Sequence, residues 1–294
     1  MRNKDEFSSY HPIVNFGFFA IVIGLTMLTT HPLFITISLI GSIAYYINLN
    51  GKKATAFMLK FAFVLFALTV LINPILAKGG RTVLFYFPWG NSATLESVLY
   101  GITAGGMMVA VITWFACLFE CITSDKIMYL FGRLIPSLSL VISMILRFVP
   151  RFKSQFKTVW DLQKINAETQ TKTDKIKTAV RCFSAVISWS LENSIDVADS
   201  MKSRGFGSNK RTFYNVYLFR DRDKTAIIFL LCSGFLFVTG GISNAISWNF
   251  YPTISNNQNS LTFVILTVFF AVCIMPIIIN KKECRKWRYS KLKI

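Results

Sequence analysis

The chain has 294 residues, of which 53% are hydrophobic, 15% aromatic and only 16% charged. Such a composition excludes a disordered chain, a small disulfide-stapled secreted domain and an ordinary soluble enzyme, and describes a protein built for lipid. The few charges are lopsided: 32 Lys and Arg face 14 Asp and Glu, a formal net charge of +18, and where that excess lies decides what it means.

From Phe7 to Gly51 there is no formal charge, and only Thr30, His31 and Pro32 break the run. It predicts two short helices, each of about 17 residues and about 26 Å, joined by a tight turn. Residues 13–29 are followed by Thr-His-Pro and a second apolar helix, not by a small-residue cleavage site, so a cleaved signal peptide is not expected. The next span, Ala54 to Ala77, carries Lys60 near one end, where its stem reaches the interface. A fourth runs uncharged from Ser97 to Phe119, and Thr225 to Asn280 holds two more around a polar middle, Asn249 to Ser260, with Pro252 and Asn256-Asn257-Gln258-Asn259. The expectation is an all-α polytopic membrane protein with about six transmembrane helices. Its regions are residues 1–133 (four spans), 134–224 (cytoplasmic helices) and 225–294 (two spans and a basic tail).

The cations fix the orientation. With the amino terminus inside, the outward loops hold two basic residues, Lys78 and Arg81, whereas residues 147–224 hold sixteen basic against eight acidic residues and the tail from Lys281 seven against one. Both termini are therefore expected in the cytoplasm of a cell-membrane protein. Leu134 to Val149 would upset this parity if it spanned. It has only 13 residues before Arg147, with Pro136 and Pro150 near its ends, and is expected to be re-entrant, interfacial or buried.

Residues 147–224 read as long amphipathic helices. Ile176, Val180, Phe183, Ile187, Leu191, Ile195, Ala198 and Met201 recur at steps of three or four, and Gly205 offers a left-handed stop. An earlier helix is expected to start near Pro150, with Phe152, Phe156, Val159, Trp160 and Gln163 on one side. Most of the cations suit anionic lipid headgroups. Arg204, one residue before the glycine, projects from a helix tip where its planar fork suits carboxylates or carbonyls of a partner.

The run Leu146-Arg147-Phe148-Val149-Pro150, then Gln163, then Ala198-Asp199-Ser200-Met201-Lys202-Ser203-Arg204-Gly205-Phe206-Gly207 resembles the transmembrane T component of energy-coupling factor (ECF) transporters, vitamin and metal-ion importers of the ABC superfamily. In that family an apolar segment ending in Leu-Arg-Phe-Ile-Pro leads into cytoplasmic coupling helices. Two of these end in Ala-Arg-Gly motifs, each arginine docking in a groove of one ATPase subunit. The resemblance implies that Ser203-Arg204-Gly205 is the second motif, with Ser203 in place of alanine and Arg204 docking. The first motif falls near Gln163, at Ile165-Asn166-Ala167, where neither arginine nor glycine stands; Asn166 offers hydrogen bonds but no ion pair. Arg147 is either an interfacial arginine at a helix end or, bonding carbonyls freed by Pro150, a residue that sets the angle between the membrane portion and the coupling helices. The implied partners are two ATP-binding-cassette subunits and a substrate-binding membrane S component.

The chain itself carries no Gly-x-x-x-x-Gly-Lys-Ser/Thr phosphate cradle, so any ATP hydrolysis must come from partners. No catalytic, cofactor or metal site is expected. The six cysteines, Cys117, Cys121, Cys182, Cys232, Cys273 and Cys284, form no Cys-x-x-Cys pair, and His11 and His31 flank opposite ends of the first span. A self-contained carrier or channel is the alternative, with Asn15, Asn73, Asn244 and Asn249 as its candidate polar groups. A membrane-bound enzyme ranks below it because no nucleophile–base pair is visible, and no nucleic-acid partner is expected because topology explains most of the cations.

Overall fold

The computed structural model describes residues 5–76, 80–86, 92–132, 136–165, 172–206, 217–243, 246, 248–250, 255–256 and 260–291. The chain divides into two compact units, Met1–Ile127 with Tyr217–Ile294, and Met128–Val216.

The first unit holds α1 (Pro12–Leu28), α2 (Pro32–Leu76), a β-hairpin of β1 (Val83–Tyr86) and β2 (Ser92–Thr94), and α3 (Leu95–Cys121). The next helix, α4 (Ser124–Gly132), starts in this unit and runs across its boundary. The chain returns through α7 (Asp221–Ile242), the short strands β3 (Trp248–Asn249) and β4 (Ser255–Asn256), and α8 (Ser260–Lys291). Among the described residues four helices are long and apolar enough to cross a membrane: α2, α3, α7 and the Ser260–Lys282 part of α8; α1, at 17 residues, is shorter. The 45-residue α2 is twice the length a bilayer needs, and Gly51, at φ 77° and ψ 170°, breaks it into two. With α1, that makes six apolar helical segments among the described residues, as the charge-free runs predict.

Helix starts follow local chemistry. Pro12 stands at the first position of α1, where its missing N–H costs nothing, and His11 Nδ1 accepts from Ile13 N at 3.3 Å. Thr94 and Ser97 cap α3 reciprocally, each side-chain oxygen accepting from the other's backbone N–H at 3.3 Å. Inside hydrocarbon the polar side chains satisfy one another: Thr26 and Ser38 hydroxyls lie 2.8 Å apart, and the fully buried Trp114 donates from Nε1 to Ser38 Oγ at 2.9 Å.

The core gathers Phe18, Phe19, Phe34, Tyr45, Trp114 and Phe269 from α1, α2, α3 and α8. Packing of α2 on α3 depends on small residues of α3: a Cβ at Gly101 would lie 3.3 Å from the Val70 Cα, and one at Gly105 only 2.9 Å from the Phe66 ring. The connections sort to two ends. Thr30 Oγ1 donates to the Trp248 carbonyl at 2.9 Å, the His31 and Trp248 rings lie 4.8 Å apart, and Tyr100 meets Phe250 at 5.7 Å. At the other end residues 5–11 meet the ends of α3 and α7 and Asn280 of α8.

The second unit contains α5 (Pro136–Ile165) and α6 (Lys172–Ser203). Here the structure departs from the expected boundaries. No separate helix begins near Pro150: a single 30-residue helix runs from Pro136 to Ile165 with Pro150 inside it. Proline interrupts only one hydrogen bond, to the carbonyl of Leu146, and the apolar run before it continues the same helix. Substituting Gly105 by valine is expected to push Phe66 aside, cost about 1–3 kcal/mol and lower the thermal midpoint in detergent, measured by fluorescence-detected unfolding.

Candidate functional site

The end of α6 is built by its own sequence. Gly205 takes the left-handed conformation, φ 79°, that other residues adopt only with strain. The backbone closes a Schellman cap: Phe206 N donates to Met201 O at 3.1 Å and Gly205 N to Lys202 O at 2.9 Å. Arg204 N donates to Ser200 O at 3.3 Å, and Ser203 Oγ to the same carbonyl at 2.9 Å. Ser203, Arg204 and Gly205 are all exposed. A guanidinium thus stands at a helix end whose terminal carbonyls are already taken, so its donors are not needed for capping.

The other sequence-derived residues sit on α5. The two helices touch where Phe152 meets the Trp189 ring at 5.9 Å and the Arg151 guanidinium lies 5.5 Å from the same ring. Gln163 is half-buried near the end of α5, about 16 Å beyond Phe152 by helical rise, and Arg204 lies about 22 Å beyond Trp189. Asn166 falls outside the described residues. Arg147 and Pro150 precede the contact; both are exposed, and the Arg147 guanidinium lies 5.2 Å from the Phe148 ring, which stacks on Phe152. Ser203, Arg204 and Gly205 therefore share one cap, while Gln163, Arg147 and Pro150 belong to the other helix.

The greasy face of α6 behaves differently from a core face. The buried or half-buried residues of α6 include Ala179, Cys182, Val186, Trp189, Asn193 and Val197. Most of the stripe read from the sequence faces out: Ile176, Val180, Phe183, Ile187, Leu191 and Ile195 are each between 44 and 67% exposed and Ala198 is exposed, whereas Met201 is half-buried. Both rows recur at helical spacing, and periodicity alone could not separate them. A row of six large apolar groups on a surface marks a place where something else binds.

A second cluster was not legible in the sequence. Asp5 Oδ2 accepts from Tyr45 Oη at 3.0 Å, Cys121 Sγ at 3.3 Å and Ser8 N at 3.2 Å, and Oδ1 accepts from Asn280 Nδ2. Lys126, only 5% exposed, donates to Ser8 Oγ at 3.0 Å, to Cys121 O at 2.8 Å and to Ser8 O. Desolvation pulls the Lys126 pKa below the usual lysine range, opposed by Cys121 and Asp5. His11, too, is held below its ordinary value by burial, with Asp223 opposing. No sequence motif around Asp5 or Lys126 marks the cluster.

Two of the four candidate carrier groups, Asn15 and Asn73, are occupied. Asn15 is fully buried, and with its amide turned to its best partners it donates to Phe7 O and accepts from Lys126 Nζ, both at 3.0 Å. Asn73 donates to Thr69 O of its own helix at 2.8 Å, Asn249 is exposed, and Asn244 falls outside the described residues. Among the described residues no three His, Cys, Asp or Glu side chains gather to hold a metal ion. Cys117, Cys121, Cys182 and Cys273 are buried free thiols, and Cys232 is exposed.

Six apolar helical segments and an amphipathic helix pair among the described residues define a polytopic membrane protein. The family model for CbiQ, the cobalt transport protein, matches residues 10–214, and the chain belongs to that family, the T components of ECF transporters. No curated protein matches the chain. Replacing Gly205 by alanine is expected to cost about 1–2 kcal/mol in the cap and to speed amide exchange at Gly205 and Phe206, read by hydrogen–deuterium exchange.

Proposed function

We propose that the chain is the energy-coupling T component of an ECF-type importer, a non-catalytic subunit that carries the closing motion of two ATP-binding-cassette ATPases to a substrate-binding S component. The observation that carries this reading is the exposed Arg204 on a Schellman-capped helix end. A rigid tip transmits displacement where a frayed one absorbs it, and a guanidinium freed from capping is available to a carboxylate or carbonyl groove. Arg204, with Ser203 and Gly205, docks one ATPase. Gln163, near the end of the other helix, and Asn166, which lies outside the described residues, offer the second ATPase hydrogen bonds without an ion pair, so the two contacts are unequal. Arg147 and Pro150 serve as the hinge region of α5, where the missing Pro150 N–H weakens the ladder.

The outward stripe of α6 suits the S component, since its aliphatic row matches a membrane helix better than a soluble ATPase. Substrate binding belongs to that partner, which takes up a vitamin or a metal ion. The protein sits in the cell membrane with both termini cytoplasmic: residues 147–224 and the tail from Lys281 contribute +8 and +6 of the net +18, and these cations face anionic headgroups.

Arg204→Glu is expected to abolish copurification of the ATPases or to lower ATP-driven uptake by about tenfold or more, equivalent to ~1.4 kcal/mol; unchanged assembly and uptake sink the docking role. Leu191→Glu is expected to release the S component while the ATPases stay bound, checked by the subunit ratio of the purified complex.

A further inference from the structure

The segment 5–11 touches every part of the first unit at which the chain leaves for, or returns from, the second unit. The chain leaves after Ile127 and returns at Tyr217. On the leaving side Lys126, the residue before Ile127, holds Ser8 through both its hydroxyl and its carbonyl, and Ser8 Oγ donates to Cys121 O at 3.2 Å. On the returning side His11 N donates to Asp223 Oδ1 at 3.2 Å, while Asp223 Oδ2 accepts from Arg220 N at 2.9 Å. Arg222 donates to Ser9 O at 3.3 Å and lies 4.8 Å from the Tyr10 ring, and the His11 ring packs on Phe219 at 5.1 Å and Tyr217 at 6.4 Å.

The segment is itself anchored. Phe7 is fully buried against Phe18, Phe19 and Tyr45, and its N–H donates to Asn280 Oδ1 at 3.1 Å. Asp5 ties the same place to α2, α3 and α8 through Tyr45, Cys121 and Asn280. Nothing about insertion into lipid requires a buried lysine at a helix start; an exposed cation would orient the span as well and would not need desolvating.

We propose that residues 5–11 form a clasp that fixes both roots of the coupling helices to the membrane unit, with Lys126 and Asp223 as its positioning residues. If α5 and α6 act as levers, motion reaches the membrane unit only where their roots are held. With the roots loose, the ATPases would turn over without moving the S component. Lys126 is held by oxygens of Ser8 and Cys121 and Asp223 binds two backbone N–H groups, so each root is fixed by directional, charge-assisted bonds that do not slide as apolar contacts do.

This proposal rests on the transducer reading, and the two fail differently. The test is made on the full complex in liposomes with Lys126→Met, Asp223→Asn and the double variant, measuring subunit ratio, ATP hydrolysis and substrate uptake. The clasp predicts assembled complexes that hydrolyse ATP but whose uptake per ATP falls by about tenfold in the double variant, equivalent to ~1.4 kcal/mol, with Lys126→Arg restoring most of it. Assembled variants that couple as the wild type does overturn the clasp and leave the transducer reading standing; ATP-independent uptake by the wild type overturns that reading instead. Should a variant fail to assemble, amide exchange in the wild-type complex decides. The N–H groups of Phe7, Ser8 and His11 are expected to stay protected during turnover, and their rapid exchange overturns the proposal.

Discussion

Hydrocarbon offers a polar group no partner but another group of the protein, and the first unit is arranged around that constraint. Its spans carry polar groups that bond to one another or to their own helices, as the Thr26 and Ser38 hydroxyls and the Trp114 indole N–H do. The chemistry that a transporter needs is thereby pushed out of the spans. What remains at the end bearing the amino terminus is a network of Asp5, Lys126, Asn280 and Asp223, whose members lie far apart in the chain and meet only in the fold.

The second unit obeys the opposite condition. Its two helices bury one seam, around Phe152, Cys182 and Trp189, and leave a row of aliphatic groups uncovered on α6. Burial stabilises at about 25 cal/mol per Å² of apolar surface, so a bare row is a standing gain for any partner that covers it. The capped tip with Arg204 adds a directional contact at the end of the same helix. A helix with a greasy side and a charged tip is suited to touching two partners of different chemistry, and membership of the cobalt transport protein family fits that use.

Much of this was legible beforehand because it rests on local signals. Charge-free runs marked the apolar segments, Gly51 stood where the long α2 breaks, and Gly205 stood where α6 stops. The continuity of α5 was not legible: a proline ahead of a basic stretch reads as a helix start, and only the surrounding fold shows that the ladder tolerates it. Nor was the inward row of α6, since Cys182 and Trp189 look no more core-like than Ile187 and Leu191. The network around Lys126 was hidden for a different reason. Its residues are common types separated by up to 275 positions, and nothing in their neighbours predicts that they meet.

The central claim is that this chain works only as one subunit of an ATP-driven assembly. Its most direct test is the native mass of the complex extracted gently from the membranes in which it occurs, with each subunit identified. The account predicts one copy of the chain with two ATP-binding-cassette subunits and a smaller membrane protein. A chain recovered alone, or only with copies of itself, contradicts it.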